Sequence, residues 1–333
     1  MADLGVGVIG LGRMGSLHAE HLQGAIRGAR LVAAVVDSDH RSRFQASGSA
    51  PCPLVADVAA LVRDPHVDVV VIASPSNAHQ EHTTEVALAG KPIFCEKPLA
   101  DSVDGARSAI ADITRAGIPF QIGFQRRFDP GYARAKTLIE QGAIGEVEMF
   151  RGLTCDRIPP IDYLRTSGGL FRDLGVHDFD AARFLMGDEV VAVQATGAIL
   201  VEPALSEFDD IDHGIVTLRC ARGGLGVVQN AWRAPAGYDI RAEVHGTAGK
   251  VVTELDEDLD TRLYDRRGRV VTRHFEFMER FRPAYRLELQ AFIDAVQGDK
   301  PVTPTANDGL QALLIADAAT RSRREGTWVT IDD

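Results

Sequence analysis

The stretch Gly5-Val-Gly-Val-Ile9-Gly10-Leu-Gly12-Arg-Met-Gly15-Ser-Leu-His-Ala19 decides the fold of this chain. An apolar run is followed at once by Gly-x-Gly-x-x-Gly and then by a helix-like segment. The glycine pattern alone is a weak signal; a strand before it and a helix after it give it meaning. Gly10 allows the tight turn, Gly12 lets the backbone approach a pyrophosphate, and Gly15 lets helix and strand pack closely. Arg13 and Met14, between the last two glycines, stand where the first helical N–H groups face the phosphates. These residues predict a Rossmann domain that binds a dinucleotide. A glycine-rich turn without a ligand is the alternative.

Asp37 ends the second apolar run, about twenty residues beyond Gly15, where a carboxylate accepts hydrogen bonds from the adenosine ribose hydroxyls. It would also repel a 2′-phosphate, so NAD is favoured over NADP. An ordinary strand-end turn residue is the alternative for Asp37.

Outward from this motif, short apolar runs alternate with helix-like stretches, the signature of a parallel sheet flanked by helices. Strands are predicted over 5–9, 31–36, 67–73, 91–95 and 119–123, and helices over 15–25, 58–63, 77–89 and 103–116. The texture changes near residue 147. Period-2 alternation predicts strands over 147–154, 190–200, 213–220, 224–232, 238–245 and 250–254. Their short glycine-containing connections read as an antiparallel sheet. Apolar residues three and four apart predict helices over 285–296 and 308–323. The class is α/β: a doubly wound parallel Rossmann sheet over 1–123, then a second α/β domain with a mainly antiparallel sheet over 124–333. The C-terminal helices are candidates to pack back on the Rossmann domain.

A length of 333 residues supports two domains. The net charge of −11 repels phosphate backbones and argues against nucleic acid. It does not exclude an anionic cofactor, because local backbone dipoles bind phosphate on an acidic protein. No apolar run approaches the ~20 residues of a membrane span. The N-terminus carries no signal-peptide pattern. Cys52, Cys95, Cys155 and Cys220 lie far apart with no Cys-x-x-Cys pair. Reduced thiols and a cytoplasmic location follow. No zinc-ligand spacing is present, so no metal is expected.

Two later segments carry candidate chemistry. Glu96-Lys97-Pro98 follows the fourth predicted strand of the first sheet. Strand C-terminal ends face the ligand crevice in a doubly wound sheet, so Lys97 is placed to touch substrate. A surface lysine is the alternative. Gly168-Gly-Leu-Phe-Arg-Asp173-Leu-Gly-Val-His177-Asp-Phe-Asp180 opens a helix expected to run to about Met186. Asp173 and His177, four apart, share one face of that helix. A carboxylate beside an imidazole raises its pKa and orients it, which makes a general base. A helix-surface ion pair or a core histidine is the alternative.

These landmarks, with Ser74-Pro-Ser-Asn77-Ala-His79 and Gly123-Phe-Gln-Arg126-Arg127-Phe128, resemble the Gfo/Idh/MocA oxidoreductases in order and spacing over essentially the whole chain. Within the family the resemblance is greatest to its inositol 2-dehydrogenase branch, through Gly123 to Asp129 and Gly237-Tyr238-Asp239-Ile240. The resemblance implies oxidation of a secondary hydroxyl of a cyclic polyol by NAD, with myo-inositol giving the 2-ketone. Lys97 would contact substrate and nicotinamide, His177 would be the acid/base and Asp173 its partner. Arg127 and Tyr238 would line the polyol pocket. Ser74 would belong to the cofactor site, with Asn77 and His79 beside the cofactor and Glu96 near the nicotinamide. The large open sheet of the second domain would mediate a homodimer or homotetramer. One departure stands out: Cys155-Asp156-Arg157 occupies the place of an expected His/Asn-containing stretch. That makes Asp156 a substrate-binding candidate with a different donor and acceptor pattern. A dehydrogenase or ketoreductase of a free or nucleotide-linked sugar is the alternative substrate class. A non-catalytic NAD-binding sensor is the alternative of another kind.

Overall fold

The computed structural model describes residues 2–36, 52–254, 263–266, 268–270 and 274–331. The chain divides into two compact units, Met1–Gln125 with Tyr285–Gln311, and Arg126–Ala284 with Ala312–Asp333.

The first unit is built on six parallel strands: β1 Leu4–Ile9, β2 Ala29–Val35, β3 Leu54–Val55, β4 Val69–Ile72, β5 Ile93–Glu96 and β6 Phe120–Gly123. Their order is β3-β2-β1-β4-β5-β6, and every pairing is parallel. Strands covered on both faces are near-continuous apolar runs, and all four residues of β4 and of β5 are buried. The connecting helices are α1 Arg13–Leu22, α2 Val58–Arg63, α3 His79–Leu88 and α4 Val103–Ala116. Asp57 caps α2 by accepting from Ala60 N–H at 2.7 Å, and Ser102 caps α4 by accepting from Gly105 N–H at 3.0 Å. Gly117, at φ +64°, ends α4 in the left-handed conformation that glycine adopts without strain. Leu289, Phe292 and Ile293 complete the apolar layer formed by Val6, Val71 and Phe94.

The second unit holds a seven-stranded sheet ordered β12-β11-β7-β10-β9-β8-β15. Its strands are β7 Val147–Cys155, β8 Val190–Ala198, β9 His213–Cys220, β10 Leu225–Ala231, β11 Asp239–Gly246, β12 Gly249–Thr253 and β15 Val329–Thr330. Between β12 and β15 in sequence, β13 Leu263–Asp265 and β14 Gly268–Val270 form a separate hairpin. The sheet is mixed rather than wholly antiparallel, because β7 pairs with β10 in parallel. A parallel pair needs a long crossover. Here it contains α6 Ile161–Leu164, α7 Val176–Met186, β8 and β9, and the period-2 pattern alone did not reveal that return direction.

Several helices differ from the sequence reading, among them the short α6, which had no predicted counterpart. Pro130–Glu140, α5, had no predicted helix. Asp129 caps it by accepting from Gly131 and Tyr132 N–H, and Pro130 stands at its first turn, where no N–H is needed. The helix α8, Phe277–Gln297, begins two turns before the predicted start and contains Pro283. Phe281 and Ala284, both fully buried, anchor those turns, so burial outweighs the lost backbone hydrogen bond. The last helix, α9, spans Ala306–Glu325. Among the described residues, no helix is long and apolar enough to cross a membrane.

Candidate active site

In the first unit the three loop glycines have different surroundings. A Cβ on Gly10, at φ +89°, would lie 2.6 Å from the Ala73 carbonyl oxygen. One on Gly15 would lie 1.8 Å from the Gly10 carbonyl oxygen, so close packing of β1 and α1 demands glycine there. A Cβ on Gly12 would meet nothing within 4 Å, and its φ of −69° is open to other residues. Packing therefore does not explain Gly12. No side chain caps α1 at this point, which leaves its end open in the way that suits a diphosphate. Arg13 is exposed and Met14 half-buried in the first turn. Asp37 lies outside the described residues.

The remaining first-unit candidates gather at the C-terminal ends of β4 and β5. Ser74 Oγ is 2.9 Å from His82 Nδ1. Asn77 is exposed on the turn Ser76–Ala78. His79 is buried, with Nδ1 2.6 Å from the Pro98 carbonyl oxygen and Nε2 2.9 Å from that of Ser74. Its ring bridges the end of β4 to the segment that carries Lys97. Burial pushes the His79 pKa below its ordinary value, against the opposing pull of the two carbonyls, Glu96 and Asp101. Lys97 is half-buried, and the Lys97–Pro98 peptide is cis. The Glu96 carboxylate points inward: Oε1 is 2.7 Å from His18 Nε2.

In the second unit a π-helical turn, Phe171–Gly175, runs into α7. Asp173 falls in the wide turn and His177 in the regular helix, both half-buried. A π turn rotates less per residue than an α turn, which brings the four-residue spacing closer to one whole turn. Leu170, Leu174 and Ala181 are buried, as the register requires. Asp178, next to His177, is 1% exposed and accepts from Arg126 Nη1 (2.6 Å), Thr154 Oγ1 (2.8 Å) and Asn230 Nδ2 (2.7 Å). A buried carboxylate needs such partners, and these fasten α7 to the ends of β7 and β10. Arg127 forms a two-bond fork with Asp180 (Nε 2.9 Å, Nη2 2.6 Å), a rigid arrangement for a guanidinium. Asp156 continues β7, with its N–H donating to the Ala231 carbonyl. Tyr238 leads into β11, whose first residue pairs with Cys155. The two therefore meet at one end of the sheet. Burial pushes the Tyr238 phenol far up, with Asp156 adding to the shift, so it acts as a neutral hydroxyl.

The sequence reading missed His18, Asp178 and Glu288. His18 and Glu288 are both fully buried, and with Glu96 they place one ligand-type atom each within 4.8 Å of one another. A signal for Glu288 was present. It shares the three-and-four register of the buried Phe281, Tyr285 and Phe292, so it is a carboxylate on an apolar stripe.

The sequence model of the Gfo/Idh/MocA oxidoreductases, NAD-binding Rossmann fold, matches residues 4–124, and that of their C-terminal alpha/beta domain matches residues 136–331. The chain belongs to the Gfo/Idh/MocA family. One family relative is inositol 2-dehydrogenase of Rhizobium meliloti, 39% identical over 98% of this chain and 98% of that protein. Another is myo-inositol 2-dehydrogenase of Thermotoga maritima, 37% identical over 98% of each. Among solved Gfo/Idh/MocA structures, scyllo-inositol dehydrogenase from Lactobacillus casei, with bound NAD(H) and scyllo-inositol, superposes with a TM-score of 0.92. It is 28% identical, and the match covers 99% of each chain. The two family domains account for the parallel sheet and the mixed sheet described above.

Proposed function

We propose that this chain is an NAD-dependent dehydrogenase that oxidises one secondary hydroxyl of a cyclic polyol, an inositol, to a ketone. The observation that carries the reading is the full-length likeness to inositol 2-dehydrogenases, and the open glycine loop is consistent with it. NAD supplies the acceptor for the hydride that leaves carbon. His177 takes the hydroxyl proton, and Asp173 holds it in the useful tautomer. Lys97 hydrogen-bonds the same oxygen and stabilises the charge that builds there. Gly10, Gly12, Arg13, Met14 and Gly15 hold the diphosphate, and Asp37 holds the ribose. Ser74, Asn77, His79 and Glu96 shape the nicotinamide end. Arg127, Asp156 and Tyr238 select the ring hydroxyls, with Arg127 fixed by Asp180.

Following NADH absorbance with myo-, scyllo- and chiro-inositol, common aldoses and sugar nucleotides tests the reading. Oxidation of an inositol is expected; turnover of sugar nucleotides alone would replace it. The Asp156-Arg157 pair is the feature that favours a sugar as the second reading.

Two variants test the cofactor contacts. Gly12→Val is expected to keep the parent's Tm, because the added side chain meets open space, and to lose NADH binding in a fluorescence titration. Binding at parental affinity would remove Gly12 from the site. Asp37→Ala is expected to weaken NAD and relax discrimination against NADP. Unchanged Kd values for both nucleotides would take Asp37 out of the ribose site.

The enzyme is read as a cytoplasmic homo-oligomer. Its four thiols are free, which fits a reducing compartment. Met149, Val191, Ile215 and Leu225 lie exposed on strands of the second sheet, which fits a face covered by another copy.

A further inference from the structure

The cluster of His18, Glu96 and Glu288 lies within the first unit, and of its members only Glu96 has a part in the chemistry above. Glu288 is 0% exposed, and neither of its carboxylate oxygens has a hydrogen-bond partner. His18, also 0% exposed, brings Nε2 to 2.7 Å from Glu96 Oε1. The three side chains come from α8, α1 and β5 and converge within 4.8 Å. Gln121 of β6 donates Nε2–H to the Glu288 backbone carbonyl at 3.0 Å and fixes the helix there. Phe94 and Tyr285 stand edge-on to the His18 ring at 5.2 and 6.4 Å. Glu96 fills its space closely: a Cβ on Gly123 would lie 3.0 Å from Glu96 Oε2.

Among the described residues, no lysine or arginine pairs with Glu288. The titratable groups that converge on it are Glu96 from β5 and His18 from α1, and Tyr285 of its own helix stands edge-on to the His18 ring. Two carboxylates this close in a dry interior do not both ionise. Burial and the Glu96 charge push the Glu288 pKa well above its ordinary value. A neutral carboxylic acid has one O–H to give, and a carboxylate already held by an imidazole N–H has further lone pairs to receive it.

We propose that Glu288 is a neutral acid whose O–H donates a hydrogen bond to the Glu96 carboxylate. His18 and Glu288 then hold Glu96 from two sides and fix the backbone that leads into Lys97. Glu288 and His18 are thus positioning residues, a role that rests on the reading of Lys97 given above. The rival occupant of the same atoms is a divalent cation.

The test uses Glu288→Gln and Glu288→Leu in the full chain. Glutamine keeps the shape and replaces the O–H with an amide donor; leucine has no donor. A carboxyl whose folded pKa is raised stabilises the fold fully below its unfolded pKa. That contribution is lost as pH rises toward the folded value. Glutamine has no such proton, so the Tm of E288Q is expected to gain on the parent steadily from pH 5 upward. E288L is expected to lose about 10²-fold in kcat through misplacement of Lys97, and E288Q to restore most of it. Parallel Tm–pH curves for E288Q and the parent would overturn the proposal. So would an E288Q enzyme as inactive as E288L, or one equivalent of a divalent metal in the purified protein by elemental analysis. If E288L does not fold, the E288Q curve still decides. If no polyol is oxidised, the proposed function fails while the Tm comparison still reports where the proton sits.

Discussion

In His177→Ala, kcat is expected to fall by about 10²–10⁴, the usual cost of removing a general base, while NAD affinity stays at the parent's value. The structure gives a reason to expect a clean loss. The start of α7 is fastened by Asp178, which accepts three side-chain hydrogen bonds from Arg126, Thr154 and Asn230. Deleting the half-buried imidazole next to it leaves that anchor in place, so Tm and the glycine loop are expected to be unaffected. Steady-state kinetics with the best polyol, beside an NADH titration, measure both quantities. Turnover near the parent's would remove His177 from proton transfer.

Lys97→Met is expected to cost about 10²–10³ in kcat, the range for losing one donor to a developing oxyanion. Methionine replaces much of the apolar stem and deletes the charge. The segment itself has other anchors. His79 Nδ1 holds the Pro98 carbonyl at 2.6 Å, and His18 holds Glu96 at 2.7 Å. An unchanged Tm with greatly reduced kcat is therefore the expected pair of results. A variant that keeps parental turnover would show that Lys97 does not touch the reacting oxygen.

The sequence was most legible where local pattern and tertiary environment agree. β1, β4 and β5 are short apolar runs buried on both faces, and their predicted limits differ from the observed ones by two residues at most. The glycine loop was readable because each glycine has its own steric or ligand-related cause. Legibility failed where the partner is remote. His18 and Glu96 are 78 positions apart, and Glu288 comes from a helix near the other end of the chain. No local periodicity reports such a meeting. Arg126 and Arg127 look alike in sequence, yet one is fully buried against Asp178 and the other forms a fork with Asp180. The π-helical turn at Phe171–Gly175 has no composition signal that spacing rules detect.

The nucleotide-binding half is not a sequential piece of the chain. Its apolar layer is closed by Leu289, Phe292 and Ile293. A ribosome that has finished β6 has delivered every strand of that sheet but not the helix that covers it. Domains generally complete themselves as units during synthesis, N-terminal first. Here the earliest-made half must wait for the segment that carries Leu289, Phe292 and Ile293 before its apolar layer is closed.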